Sequence, residues 1–267
     1  MTVFARDICV DFEDFSALKS VDFDARPGRV STIVGPNGSG KTTLLRAMTG
    51  DLPFRGSVHL NGLDISAVPP LSLATQRAVL PQSGTVAFPF TVLELVRLGL
   101  TAGLATTRDV DLNSLPIQAL ARVGLGGYEG RLVQELSGGE RQRAQLARVL
   151  VQIWQPVLDG TPRWLFLDEP VSALDIGHQL LIMQIARGFA EAGGGVIAVM
   201  HDLNLTSMYS DQVTLLAQGE VVATGSPSEV LTDINLSNSY GCDLRTNTPP
   251  QAGGPWILPQ AAGAHHL

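Results

Sequence analysis

An α/β protein with a parallel sheet is the fold class predicted by three stretches of the sequence. In "RVSTIVGPNGSGKTTLLRAM" (29–48) a β-branched apolar run passes into a glycine-rich loop and then into a helical period. In "WLFLDEP" (164–170) four consecutive apolar residues precede two acids, the composition of a strand buried on both faces. "GGVIAVMHD" (194–202) has the same character, and the helical "GHQLLIMQIARGFAEAG" (177–193) lies between the two, the alternation that builds a parallel sheet.

The first sixty residues add the strands "TVFARDICVDF", "LKSVDFDA" and "GSVHLNG", apolar or alternating and broken by Gly, Pro, Asn and Asp. The helix "KTTLLRAM" that leaves the glycine loop ends near Gly50, a residue suited to a C-cap. From about residue 90 to 160, "TVLELVRLGL", "IQALARVGL" and "GERQRAQLARVLVQI" place apolar residues three and four apart, which predicts a helical subdomain. Beyond the last apolar strand, "QVTLLAQGEVVATG" reads as a hairpin. "SPSEVL" then opens a helix with Ser226 as cap, Pro227 at its first position and Glu229 closing a capping box. The tail from Arg245 has four prolines and no period, and reads as an extended or mobile extension.

Composition excludes several function classes. With 45% hydrophobic residues, 267 residues support one large core or two modest ones. The net charge of −7 gives no broad basic face, so no nucleic acid is expected as a partner. The start "MTVFARDICVDFEDF" has acids where a signal peptide needs an apolar run, and no stretch approaches the roughly 18 apolar residues of a membrane span. The expected location is therefore cytoplasmic. Cys9 and Cys242 have neither disulfide-framework nor metal-ligand spacing.

"GPNGSGKT" (35–42) fits the phosphate-loop pattern in the strand–loop–helix context it requires. Its glycines let backbone N–H groups wrap phosphates, Lys41 reaches the β and γ oxygens, and the Thr42 hydroxyl is a Mg²⁺ ligand. "WLFLDEP" brings Asp168 and Glu169 to the C-terminal end of a strand, where open parallel sheets bind ligands. There Asp168 would hold the metal through its water shell, and Glu169 would polarise the water that attacks the γ-phosphate. "LSGGERQR" (136–143) can be read in two compatible ways. Ser137 and Glu140 form a capping box, while Gly138 and Gly139 clear side chains from a helix start that a phosphate can approach.

The order "GPNGSGKT", Gln82 in "VLPQSG", "LSGGERQR", "WLFLDEP", "SALD" and His201 in "VMHD" resembles the ATP-binding cassette of ABC transporters, over residues 1 to about 235. The resemblance implies a P-loop NTPase with a RecA-like parallel-sheet core, an N-terminal antiparallel β subdomain and a helical subdomain. In this sequence these fall at 1–82 and 162–232 for the core, 83–161 for the helical subdomain and 233–267 for a C-terminal extension. It implies ATP and Mg²⁺ as ligands. Gly35, Pro36, Asn37, Gly38, Ser39, Gly40, Lys41, Thr42 and Thr43 would hold the nucleotide, and Thr42, Gln82 and Asp168 the metal. Glu169, His201 and Gln82 would be catalytic, with His201 on the γ-phosphate and Gln82 also facing the permease. Asp175 would cross a dimer interface, where Ser137, Gly138, Gly139 and Glu140 meet the nucleotide of a second chain packed head to tail. The family usually places an aromatic residue, most often Tyr, against adenine; the candidates here are Phe12 and Phe15, of which Phe12 fits better by its distance from "ALKSV".

One cassette without a membrane span implies a homodimer on separate integral-membrane permease subunits, at the cytoplasmic face of the inner membrane. A periplasmic or surface solute-binding protein would take part indirectly. "AFPFTVLELVRLG" and the long connection "VLVQIWQPVLDGTPRWLFLDEP" resemble the ATPase subunit of bacterial hemin importers. ATPases of ferric-siderophore and vitamin B12 importers share the architecture and remain the alternative. A non-transport ABC ATPase would carry coiled-coil inserts or paired cassettes, which are not visible. His59, His178, His265 and His266 have no spacing that proposes a haem ligand pair in this chain.

Overall fold

The computed structural model describes residues 1–82, 88–103, 111–249 and 253–262. The chain opens with the hairpin β1 (Val3–Phe12) and β2 (Phe15–Ala25), then crosses to β3 (Val30–Val34), the glycine loop and α1 (Lys41–Met48). β4 (Arg55–Leu60) and β5 (Leu63–Asp64) return to the first sheet, giving the antiparallel order β2-β1-β4-β5. A short α2 (Pro70–Ala74) leads to β6 (Arg77–Leu80). The helices α3 (Val92–Gly103), α4 (Leu115–Arg122) and α5 (Gly138–Gln152) follow, with a 3₁₀ turn at Val133–Glu135 before α5. A small hairpin, β7 (Val157–Leu158) and β8 (Thr161–Pro162), occupies the long connection and enters β9 (Trp164–Asp168). Then come α6 (Ile176–Glu191), β10 (Gly195–Val199), α7 (Leu203–Tyr209), the hairpin β11 (Gln212–Ala217) and β12 (Glu220–Gly225), α8 (Pro227–Val230) and α9 (Asp233–Tyr240).

The second sheet has the order β12-β11-β3-β10-β9-β6, parallel except for β12. β3, β9 and β10 are buried at every position, which suits the apolar runs of β9 and β10 and in β3 includes the polar Ser31 and Thr32. Their side chains alternate between two cores. Leu165, Leu167, Val196 and Ala198 pack with α3, α4, α5 and α6 on one face. Trp164, Phe166, Ile197 and Val199 pack on the other with α1 and the antiparallel sheet. Complete burial of side chains such as Phe166 and Leu167 stabilises the fold by about 1.5–3 kcal/mol each.

The expected helix after the glycine loop runs to Met48, with Thr49 as C-cap and Gly50 in a left-handed conformation at φ 74°. Ser226 and Glu229 close the capping box before α8. The tail differs in detail from an extended chain: Pro259–Ala261 forms a 3₁₀ turn, and Gln260 Nε2 donates to Asn204 Oδ1 at 3.1 Å. His265 and His266 lie outside the described residues, as do positions 83–87 of the stretch after Gln82.

Candidate active site

The phosphate loop joins the C-terminal end of β3 to α1 and holds three glycines with positive φ: Gly35 at 148°, Gly38 at 77° and Gly40 at 101°. At Gly35 the demand for glycine is steric as well, because a Cβ there would lie 2.0 Å from the Leu216 carbonyl oxygen. α1 starts on Gly40, which has no side chain to cap it, so its first N–H groups face the loop's concavity without a side-chain acceptor. Lys41 folds over the loop and donates from Nζ to the Gly35 and Pro36 carbonyls, 2.9 Å each. Burial depresses its pKa, opposed by the negative charges of Glu169 and Asp168.

β9 ends beside this loop. Thr42 Oγ1 donates to Asp168 Oδ1 at 3.0 Å, bringing a hydroxyl and a carboxylate together at the start of α1. Burial raises the Asp168 pKa, with the Thr42 hydrogen bond pulling the other way. Glu169, the next residue, has φ 50°, unusual for a residue with a side chain. That conformation sends its carboxylate toward the end of β10, where Oε1 lies 2.6 Å from His201 Nε2. His201 directly precedes Asp202, the N-cap of α7, whose carboxylate accepts from the N–H groups of Asn204 and Leu205.

Asn37, Gly38, Gly40, Lys41, Thr42, Thr43, Glu169 and His201 line one cleft of about 250 Å³, while Asp168 is buried and not among its lining residues. Phe12 and Phe15 form its outer wall; they face each other across the β1–β2 turn and are 47% and 62% exposed. Sequence distance favoured Phe12, but the hairpin delivers both rings to the same wall. Thr42 and Asp168 offer hard oxygen donors suited to Mg²⁺. Among the described residues no group of three or more His, Cys, Asp or Glu is placed to hold a metal ion.

The remaining sequence-derived site residues stand elsewhere. Gln82 follows β6, whose Leu80 pairs with Leu167, so the sheet carries it toward the same end; it is exposed and is not among the residues lining the cleft. Ser137 caps α5: its Oγ accepts from Glu140 N at 3.3 Å, and Glu140 Oε2 accepts from Ser137 N at 2.8 Å. The backbone N–H of Ser137 holds the Glu140 carboxyl below its ordinary range. A Cβ on Gly139 would meet Leu174 Cδ2 at 3.0 Å, whereas one on Gly138 would meet nothing within 4 Å. Packing within the chain therefore explains Gly139 and leaves Gly138 unexplained. Asp175 caps α6 by accepting from His178 N at 2.9 Å and stays exposed.

A family model described as "ABC transporter" matches residues 18–172. The chain belongs to the ABC transporter family. Among similar relatives, the "Hemin import ATP-binding protein HmuV" of Jannaschia sp. (strain CCS1) is 60% identical, covering 93% of this chain and 92% of the relative. The protein of that name from Roseobacter denitrificans (strain ATCC 33942 / OCh 114) is 56% identical, covering 98% and 99%. Two solved structures share the cassette fold. The ADP conformation of MJ1267, an ATP-binding cassette of an ABC transporter, superposes with TM-score 0.74 at 24% identity, covering 90% of this chain and 98% of that one. An inward-facing putative metal-chelate type ABC transporter gives TM-score 0.70 at 22% identity, covering 90% and 89%. No described helix of the cassette is long and apolar enough to cross a membrane.

Proposed function

We propose that this chain is the ATP-hydrolysing subunit of a hemin importer, working as a homodimer on separate permease subunits at the cytoplasmic face of the inner membrane. The observation that carries the hydrolytic part is the paired arrangement at the cleft floor, Thr42 to Asp168 at 3.0 Å and Glu169 to His201 at 2.6 Å. The hemin assignment is supported by relatives of that name at 51–60% identity across most of the chain.

In this reading ATP enters between the phenylalanine wall and the phosphate loop. Lys41 exchanges its two loop carbonyls for β- and γ-phosphate oxygens, and the open N–H groups of α1 take the remaining phosphate charge. Thr42 and Asp168, joined by Gln82, would hold Mg²⁺, which when bound neutralises charge developing on the phosphate oxygens. Glu169 takes a proton from the attacking water, and His201 orients the Glu169 carboxylate and contacts the γ-phosphate. The cleft of one chain lacks the α5 start, and Gly138, bare toward solvent, supplies the second wall from a partner cassette. The segment from Gln82 to Phe90 would receive the permease; exposed Phe88 stands 6.1 Å from Phe90, which packs on the helical core.

Glu169→Gln keeps shape and removes basicity. Phosphate release should fall to background while ATP still binds and traps a dimer on size exclusion, and wild-type turnover would remove Glu169 from this role. For the transported solute, proteoliposomes carrying the cassette and its permease should accumulate hemin with ATP and fail to do so with Glu169→Gln. Uptake of a ferric siderophore but not hemin would overturn the assignment.

A further inference from the structure

We propose that Gln142 is a positioning residue for hydrolysis: it fixes the Glu169 backbone and ties α5 to the base of its own chain. The proposal rests on the reading of Glu169 as that base. Gln142 Nε2 donates to the Glu169 carbonyl oxygen at 3.0 Å. The same oxygen accepts from Ser172 Oγ at 3.2 Å, and Glu169 N donates to Val199 O at 3.2 Å. The peptide groups on both sides of the Glu169 Cα are thus anchored, one to β10 and the other to α5. Such anchoring is needed here, because φ 50° is a conformation that a residue with a side chain keeps only where its surroundings over-determine it. Relaxation of that angle would swing the carboxylate away from His201 Nε2, now 2.6 Å distant.

The donor belongs to the helix that begins at Ser137, little more than one turn away. A contact that moves the α5 start moves Gln142 as part of the same rigid element, and Gln142 holds the carbonyl of the residue that hydrolyses. Occupation of α5 by a partner's phosphate would then be sensed at Glu169 within the chain that owns the helix. Gln142 Oε1 is buried with no hydrogen-bond partner, so the Gln142 side chain's one polar tie is the bond to Glu169.

The test compares Gln142→Met, which keeps length and loses the donor, with Gln142→Glu, which keeps length and polarity but puts a carboxylate against the carbonyl. Both should lose roughly 10- to 100-fold in kcat, the scale of a displaced catalytic group. KM for ATP and ATP-dependent dimerisation should stay within about twofold, since nucleotide contacts are untouched. Wild-type kcat in either folded variant, with Glu169→Gln inactive, overturns the proposal and leaves the base intact. A KM that rises in step with the lost kcat overturns it too, by making Gln142 a binding residue. Collapse of the melting transition in both variants would make it a packing residue. Full turnover in Glu169→Gln removes the base reading and the proposal with it.

Discussion

At Asp168 stability and function pull in opposite directions. Burial is the largest influence on its carboxyl and raises its pKa above the unfolded value, so the folded chain binds this proton more tightly than the unfolded chain. Stability from this group is present below the unfolded pKa and is lost as pH rises through the raised one. At neutral pH the ionised, buried carboxylate is a net cost. Asp168→Asn should therefore raise the melting temperature of the nucleotide-free protein at pH 7 by more than at pH 4. The same variant should lose the extra stabilisation that wild type gains from ATP with Mg²⁺. Equal melting shifts at both pH values would show that burial of the charge is not the cause. The acids of this site were legible because an apolar strand followed by Asp-Glu has few other uses after a phosphate loop. Sequence distance preferred Phe12 and did not place Phe15 beside it, since their pairing across the turn is set by hairpin register, which a short alternating run does not specify.

On α5 the two glycines carry separable burdens. Ala at 138 meets open space and improves helix propensity by up to about 1 kcal/mol, so Gly138→Ala should melt no lower than wild type. If a partner's phosphate sits against that backbone, the same methyl group should weaken ATP-dependent dimerisation and turnover. Thermal melts beside analytical ultracentrifugation with ATP check both halves; undiminished dimerisation would assign Gly138 to the cap alone. Gly139→Ala should instead destabilise the monomer, because Leu174 and the Ala173 carbonyl already crowd that position. Caps and long amphipathic helices were readable because their signals are local: Ser137 with Glu140, Ser226 with Glu229, and the apolar period of α5. The short α2 and β6 and the β7–β8 hairpin carry too few residues for a period, and their conformations depend on neighbours distant in sequence. Arg77 to Leu80 becomes a strand by pairing with Trp164 to Leu167, and the Trp164 indole N–H donates to Asn61 Oδ1, about a hundred residues away.

For the whole molecule the decisive question is whether the site is shared. Lys41→Ala damages the phosphate loop and Ser137→Arg blocks the α5 start, so each homodimer carries a defect in both of its sites. A mixed dimer would gather both lesions in one site and leave the other whole, and ATP hydrolysis should partly return on mixing. Losing the Ser137 cap costs only about 0.5–2 kcal/mol, so the variant should still fold. Background hydrolysis at every ratio, with mixed dimers shown by differential tags and no gain in ATP-dependent association, would refute a shared site. The order of the parallel sheet also governs how the chain is made. β3, which carries the phosphate loop, has β10 and β11 as its two neighbours, and both lie about 160 residues or more further along. At roughly 5–20 residues per second on the ribosome, the "VSTIV" strand waits on the order of ten to thirty seconds with both edges unpaired. The antiparallel β1–β2 hairpin and the α3–α5 layer can form while that strand is still waiting. The nucleotide cleft thus forms only after β10 and β11 have been synthesised, and until then its central strand exposes two hydrogen-bonding edges that a chaperone can cover.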